Sequence, residues 1–220
     1  MKNWSFVALC WIFPLIATEP VRLPEEFTVV ERLFSLVSTF DINSDLGTFA
    51  VARKRFFSFT PAFDLEDAHE QLLASAQGRF FAWGTVADVV GWDGQKIGWI
   101  EEEVVRIIPW AEYRIFNHEN RLAAIARMNF FGTCFELYDP DHPEEIYATI
   151  SRPFIRFFRD YWTVQIFKTR IFEENVIDPR LLVLLAVYQT DKDARDRLRF
   201  EIQEELRREF DDFEGTRFGS

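Results

Sequence analysis

A short cassette of alternating residues recurs four times along this chain and constrains its fold more than any other feature. In three copies an aromatic and an aliphatic residue alternate, a polar turn follows, and small and aliphatic residues then run into an arginine. These copies begin at Phe40, Tyr113 and Phe135, and a fourth is centred on Asp93-Gly94. Alternation with a period of two is typical of half-buried strands, and Asp, Asn and Gly suit the tight turns between them. Self-similarity on this short period therefore predicts a sheet of many hairpins.

Length and charge narrow the class of protein. The 220 residues are enough for one domain with a full core, and 25 of them are phenylalanine, which suits pleated, half-buried surfaces. The formal net charge of −11 argues against a nucleic-acid partner, because phosphate contacts need a basic face. The same charge weakens a purely electrostatic role at a membrane surface.

Residues that carry chemistry are sparse in this sequence. The two cysteines, Cys10 and Cys134, supply no disulfide framework, and no Cys/His spacing typical of a metal site occurs. Neither a Gly-rich phosphate loop nor a Gly-x-Ser-x-Gly motif is present. The acidic run over residues 139–145 contains two prolines and lacks regular calcium-ligand spacing, which favours a plain acidic turn. We therefore expect no catalytic residues, no metal and no cofactor.

Residues 1–17 resemble a secretory signal peptide. One lysine precedes an apolar stretch from Trp4 to Ile16, which is too short to span a bilayer comfortably. The cleavage region before Ala17 is poor, because Leu15 stands where a small residue is preferred. We predict export or a location in the cell envelope. The alternative is a cytoplasmic protein whose hydrophobic N-terminal segment packs on its own domain.

A buried helix is predicted over residues 178–189. Asp178 is a suitable N-cap, and Pro179 suits the first helical position. The run from Leu181 to Tyr188 is apolar on every side, so it must be buried, and it is far shorter than the ~20 residues that cross a bilayer. A sheet that closes around this helix would bury it and would also remove exposed sheet edges.

Two further segments depart from the strand pattern. Residues 64–77 predict a short surface insertion, in which Asp64 or Asp67 caps a helix that carries leucines on one face. Residues 194–213 predict a charged amphipathic helix of about five turns, with apolar residues at helical spacing. We expect this second helix either to dock on its own barrel or to bind a protein partner or a second copy of the chain.

The order of these motifs resembles the tubby-like C-terminal domain superfamily, and in particular its LURP-one-related and phospholipid scramblase-like branches with their bacterial members. The strings that carry the resemblance are STFDINSDLG, AEYRIFNHENRLAAIAR, FELYDP, RDYWTV and DPRLLVLLAV. The resemblance implies a closed antiparallel barrel of about twelve strands over residues 26–190, wrapped around one hydrophobic helix at residues 178–189. Tubby domains bind phosphoinositides through basic residues, and scramblases carry a cysteine-rich segment that this chain lacks.

Arginines supply the candidate binding residues. Arg53, Arg127 and Arg152 each lie two residues after an aliphatic residue and therefore share a strand face with it. If that face points into the barrel, the three arginines lie at its mouth, where they would bind an anionic headgroup or a carboxylate. Arg55 is a further basic position beside Arg53. The alternative is salt bridging at strand ends, and in the fourth copy Glu102 takes the place of the arginine.

Together these observations predict a mainly β protein, a closed barrel with a central helix and an extra amphipathic C-terminal helix. We expect it to bind a lipid, a small ligand or a protein partner without catalysis. An anionic lipid or small ligand would bind at the arginines, and a protein would bind at residues 194–213. Two alternatives stay open, a membrane-associated protein that moves lipids as scramblases do, and an enzyme whose site is not recognised in the sequence.

Overall fold

Twelve antiparallel strands close into a barrel in this protein, which confirms the predicted fold class. The computed structural model describes residues 22–32, 35–79, 86–103, 111–154, 161–174 and 176–217. The predicted signal segment, residues 1–17, lies outside the described residues. A long helix follows the strands and fills the barrel, as the sequence predicts for residues 178–189.

The strands follow one another around the barrel in chain order, and β1 pairs with β12 to close it. Closure satisfies the backbone of both end strands and leaves no sheet edge. The strands are β1 (Glu26–Glu31), β2 (Thr39–Ser44), β3 (Gly47–Lys54), β4 (Ala62–Asp67), β5 (Leu72–Gly78), β6 (Val86–Gly91), β7 (Lys96–Glu103), β8 (Glu112–Asn117), β9 (Leu122–Met128), β10 (Cys134–Tyr138), β11 (Ile146–Ser151) and β12 (Tyr161–Ile166). The helices are α1 (Arg170–Glu173) and α2 (Pro179–Arg217).

The core is the contact between the inner barrel wall and the first turns of α2. Every residue from Leu181 to Tyr188 is at most 4% exposed. Alanines point inwards on β3, β5 and β9, which leaves room for the helix, whereas β2, β4, β8 and β10 each turn an aromatic and an aliphatic side chain inwards. Burying each large apolar side chain stabilises the fold by about 1.5–3 kcal/mol, so this contact is the main stabilising element.

Asn or Asp side chains stabilise the hairpin turns of three cassettes, and the Ser44 hydroxyl does so in the first. In the turn from β8 to β9, Asn117 Oδ1 accepts hydrogen bonds from the backbone N–H groups of Glu119 and Arg121, both at 3.0 Å. Asn120 in the same turn has a φ of 66°, a left-handed conformation that Asn tolerates better than most residues. The side chain thus replaces backbone partners that the sharp reversal leaves unpaired.

The predicted helical insertion at residues 64–77 is wrong, because this segment is a hairpin of the same kind. Asp67 Oδ1 accepts hydrogen bonds from the N–H groups of His69 and Gln71, at 2.8 and 2.9 Å, and Glu70 has a φ of 60°. Asp67 therefore stabilises a turn and caps no helix. Residues 63–76 are a further copy of the cassette, whose charged turn resembles a helix start when it is considered alone.

The two helices predicted at residues 178–189 and 194–213 form one continuous helix, α2. The backbone passes from the apolar half to the charged half without a break, and the Thr190 hydroxyl donates to the Ala186 carbonyl at 2.8 Å. Beyond the barrel the side chains are exposed, with Leu198 at 57% and Leu206 at 59%. The apolar side chains described in this segment, up to Leu206, do not dock on the barrel, which contradicts the first of the two predicted alternatives for the part of the segment whose side chains the structure describes.

Candidate interaction surface at the barrel mouth

One end of the barrel, here called the mouth, is where α2 leaves it and where the odd-numbered strands end. At the mouth, Lys54 at the end of β3 contacts Asp191 of α2. At the opposite end, the Arg180 guanidinium in the first turn of α2 donates to the Leu73 carbonyl near the start of β5, at 2.9 Å. The helix therefore enters at the opposite end and emerges at the mouth.

Three consecutive residues of α2 are held at the mouth by ion pairs to three different strands. In two of the pairs the strand supplies the cation and the helix the carboxylate, and in the middle pair these roles are reversed. The three pairs, here called the clamp, are Lys54–Asp191 with Nζ to Oδ1 at 2.7 Å, Glu102–Lys192, and Arg152–Asp193. The carboxylates are nearly buried, at 2% for Asp191, 8% for Glu102 and 10% for Asp193.

The spacing of the clamp follows from the geometry of the barrel and the helix. Two of its wall residues lie on β3 and β7 and the third follows β11, and these strands are four apart around a ring of twelve. Four strands correspond to about a third of the circumference, and consecutive helical residues are about 100° apart. Three adjacent helical residues can therefore each reach a different strand. The clamp fixes how far α2 is rotated inside the barrel.

Hydrogen bonds from uncharged donors complete the mouth beside the clamp. The Tyr113 hydroxyl donates to Gln189 Oε1 at 3.0 Å, and Gln189 Nε2 donates to Asp193 Oδ1 at 3.0 Å. Trp162 Nε1 also donates to Asp193, at 3.0 Å. Burial, with a smaller contribution from the charge of Glu102, raises the pKa of Tyr113 well above its ordinary value, so this phenol remains a donor. The polar groups at the exit of the helix thus satisfy one another.

Two of the predicted binding arginines lie on the outer wall. Arg53 Nε lies 2.9 Å from Glu66 Oε2, and Arg127 Nε lies 3.1 Å from Glu112 Oε2. The inward residues of β3 and β9 are alanines, so the arginines one position later point outwards. Moreover, β3 and β9 are six strands apart on a ring of twelve. The structure does not bring these two arginines together.

The third arginine of the prediction lies at the mouth, because its cassette is shifted by one residue. Arg152 follows the inward Ile150 by two positions and reaches Asp193. Its counterpart in the first cassette is Lys54, two positions after the inward Ala52, and not Arg53. Lys54 is not among the predicted binding residues, although period-two counting from Ala52 places it on the inward face of β3.

Arg55 belongs to a repeated contact on the outer wall. Its guanidinium donates to both carboxylate oxygens of Asp64 and to the Ser75 hydroxyl. The hydrogen bonds from Arg55 lower the pKa of Asp64, and Arg79 lowers the pKa of Asp88 in the same way. Each pair links the end of one strand to the next strand, nine residues on, as do Arg32 and Asp41. Each of the predicted binding arginines is paired with a carboxylate: Arg53, Arg55, Arg127 and Arg152. Anion binding by these four residues stays a prediction.

Exposed apolar side chains, six phenylalanines and one leucine, surround the mouth. They lie in the connections that follow β1, β3, β9 and β11, and they expose between 69% and 99% of their surface. The rings of Phe131 and Phe154 meet edge to face at 6.4 Å across two of these connections, and those of Phe56 and Phe57 do so at 4.7 Å within one. We call this set the crown: Leu36, Phe56, Phe57, Phe59, Phe130, Phe131 and Phe154.

The two ends of the barrel differ in their charge. The described mouth connections (residues 32, 35–38, 55–61, 79, 111, 129–133 and 152–154) contain no acidic residue, and their four arginines are paired with aspartates. The turns of the opposite end (residues 45–46, 68–71, 92–95, 118–121 and 139–145) contain eight acidic residues and one arginine. Leu46, Trp92 and Phe167 are also exposed at that end. Among the described connections, those of the mouth therefore lack acidic residues and carry the larger group of strongly exposed apolar side chains.

Comparisons with known proteins are sparse for this chain. No family model matches it, and no curated protein matches it. It is similar to the X-ray structure of a protein from Arabidopsis thaliana, with 11% identity, a TM-score of 0.34, and coverage of 76% of this chain and 91% of that chain.

The described residues contain no group of three or more His, Cys, Asp or Glu side chains arranged to hold a metal ion. Within the same residues, neither helix has the length and apolar character that crossing a bilayer requires.

Proposed function

We propose that this chain is a tubby-like barrel of the LURP-one-related type that works as a non-enzymatic binding module, docking a protein partner at its mouth. The docking surface comprises the crown and the exposed part of α2. The superfamily assignment rests on the order of the sequence motifs together with the twelve-stranded barrel around a central apolar helix. Export or a cell-envelope location is part of the same proposal and rests on residues 1–17.

The single observation that carries the proposal is the crown. Seven large apolar side chains are more than two-thirds exposed, and they are gathered at one end of the barrel. Single exposed apolar residues are common on protein surfaces, but contiguous groups mark interaction sites, because water around them is released on contact. Aromatic side chains are also enriched at protein interfaces and dominate their binding energy.

The barrel interior gives no support to a small ligand bound inside it. The space enclosed by the strands is occupied by residues 181–188 of α2, each at most 4% exposed. A ligand would have to displace these side chains and break the clamp. We therefore place binding on the outer surface of the mouth.

A lipid bilayer fits the mouth less well than a protein does. Helix α2 emerges through the middle of the crown, and its residues 192–217 alternate closely between basic and acidic side chains. A bilayer lying flat on the crown would have to accept these charges, which costs several kcal/mol for each charge. The four described arginines of the mouth connections are paired with aspartates, so these four offer little attraction to anionic headgroups. The same argument weighs against the lipid-moving alternative.

Site-specific photo-cross-linking tests the proposed docking surface. Phe131 in the crown is replaced by p-benzoylphenylalanine, and Leu46, which is 94% exposed at the opposite end, is replaced in a matched control. In cells that naturally make the protein, illumination of the Phe131 variant is expected to give a discrete adduct of protein size. The Leu46 control is expected to give none.

Binding to lipid vesicles distinguishes a lipid partner from a protein partner. Co-sedimentation with vesicles of phosphatidylcholine, with and without phosphatidylserine, is expected to leave the purified chain in the supernatant. Strong binding to vesicles that is lost on replacing Phe131 by aspartate would overturn the protein-docking proposal. Equal adducts from Phe131 and Leu46 would overturn it as well.

A further inference from the structure

The exposed part of α2 carries an apolar stripe whose spacing is nearly symmetric. Leu198, Ile202 and Leu206 follow one another at intervals of four and expose 57%, 48% and 59% of their surfaces. The sequence continues with Phe210 and Phe213, four and seven positions after Leu206. Side chains three or four positions apart lie on one side of a helix. The apolar residues are thus distributed almost evenly on both sides of Leu206.

Charged residues are arranged around Leu206 with opposite signs before and after it. Glu205 and Glu204 lie one and two positions before Leu206, and Arg207 and Arg208 lie one and two positions after it. Two such helices side by side in the same direction would set like charges level with each other. In opposite directions and centred on Leu206, Glu204 and Glu205 of each helix would lie level with Arg208 and Arg207 of the other, which is the arrangement that electrostatics favours.

We infer that the exposed part of α2 pairs with the same segment of a second copy of this chain, antiparallel and centred on Leu206. This inference rests on the proposed function, because it names the partner of that surface. In this arrangement Ile202 lies opposite Phe210 of the partner subunit, and Leu198 lies close to the level of the partner's Phe213. The two-fold axis passes beside Leu206, so the contact is self-complementary.

The length of the helix is consistent with this pairing. Residues 195–217 span about 33 Å at 1.5 Å per residue. A packed face would stabilise this segment further, because most helical stability in proteins comes from packing of an apolar face. A second helix laid along the stripe supplies that packing. It also brings the end of the partner helix to the level of the crown, whose apolar side chains it would cover.

Self-association is measured by sedimentation velocity at about 100 μM, a concentration that reveals even weak dimers. The chain is expected to sediment with twice its mass of 26.1 kDa. Leu206→Asp is expected to weaken the dimer about 100-fold or more, since it places two charges against each other in the apolar contact. The matched control is Phe200→Asp, which alters a side chain of similar exposure (62%) on another side of the helix and is expected to leave the dimer intact.

Disulfide trapping then tests the direction of the two helices. In a background with Cys10 and Cys134 replaced by alanine, Leu206→Cys is expected to form a disulfide-linked dimer under mild oxidation. Leu198→Cys is expected to form none, because antiparallel pairing places the two copies about 24 Å apart. Efficient cross-linking of Leu198→Cys would overturn the antiparallel arrangement.

The remaining outcomes separate this inference from the proposed function. A chain that is monomeric at about 100 μM, or a dimer that Leu206→Asp does not weaken, overturns self-pairing through α2. If the Phe131 photo-adduct then contains a different protein, the docking function stands with another partner. If neither a dimer nor an adduct forms, both proposals fail.

Discussion

At the scale of single residues, the rotation of α2 inside the barrel depends on which partner of each clamp pair, strand or helix, carries the positive charge. Two pairs place the cation on the strand, and the Glu102–Lys192 pair places it on the helix. If α2 rotated by one residue, Asp191 would face Glu102, and two nearly buried carboxylates would repel each other. Glu102 therefore contributes specificity, because a wrong rotation of the helix becomes costly.

A charge exchange tests this role of Glu102. Glu102→Lys is expected to destabilise the protein by about 2–4 kcal/mol, because it sets two ammonium groups against each other in a nearly buried position. Adding Lys192→Glu restores an opposite-charge pair and is expected to recover more than half of the loss. Urea unfolding followed by circular dichroism measures both effects. The control Arg53→Ala removes an exposed pair and is expected to cost less than about 1 kcal/mol.

One result of this charge exchange would contradict the proposed role of Glu102. If the double variant is no more stable than Glu102→Lys alone, the pair does not act as a unit, and the clamp does not set the rotation of the helix. A large loss in Arg53→Ala would instead show that ion pairs on the outer wall matter as much as the clamp.

At the scale of elements, the barrel wall is adapted to the helix that it surrounds. Inward alanines on β3, β5 and β9 bring these strands close to α2. On β7 the corresponding position is Gly98, where an added Cβ would lie 2.1 Å from the Phe116 carbonyl oxygen and 3.0 Å from Leu181 Cδ1. The backbone of β8 and the first turn of α2 therefore leave no room for a side chain at this position.

Replacing Gly98 is expected to open the contact between β7, β8 and α2. Gly98→Ala requires a backbone shift and is expected to destabilise the protein by about 2–3 kcal/mol or more. Gly78→Ala is the control, because its nearest neighbour would be the Pro61 carbonyl oxygen at 3.1 Å and a smaller adjustment suffices. Thermal unfolding of the two variants measures the difference. Equal midpoints for both would contradict the close approach at Gly98.

Sequence patterns at the element scale predict most strands and the buried helix, but they fail in two instructive places. Residues 64–77 contain an acidic turn that resembles a helix start, and only the pairing of β4 with β5 distinguishes the two. In the third cassette the phase is shifted by one residue, so Arg152 points inwards whereas Arg53 and Arg127 point outwards. A shift of one residue moves a side chain to the other face of a strand.

At the scale of the whole molecule, one helix links two different environments. Its first half, residues 181–188, is enclosed by the barrel, and in its second half the side chains of residues 198–208 are exposed to water. Local stability in proteins follows the density of buried contacts. The clamp at residues 191–193 marks the boundary between the two halves.

Hydrogen exchange is expected to reveal this boundary. In the Leu206→Asp variant, in which the α2 helices are not expected to pair, amides of residues 181–190 should exchange only through global unfolding, whereas those of residues 198–208 should exchange many-fold faster through local opening. Mass spectrometry of peptic fragments after deuterium labelling measures both segments in the same sample. Equal protection in both segments would contradict the division, and it would mean that the exposed half is held as firmly as the core.

The sequence by itself determined the barrel of hairpins, the buried central helix and the amphipathic character of the C-terminal segment. Each of these depends on local periodicity, which the order of residues records directly. Tertiary structure alone decided which cation of each cassette faces inwards, that the two predicted helices are one, and that the exposed aromatic residues gather at the mouth. These properties depend on strand register and on the direction of each strand. Register and direction together bring residues that are distant in the chain close to one another.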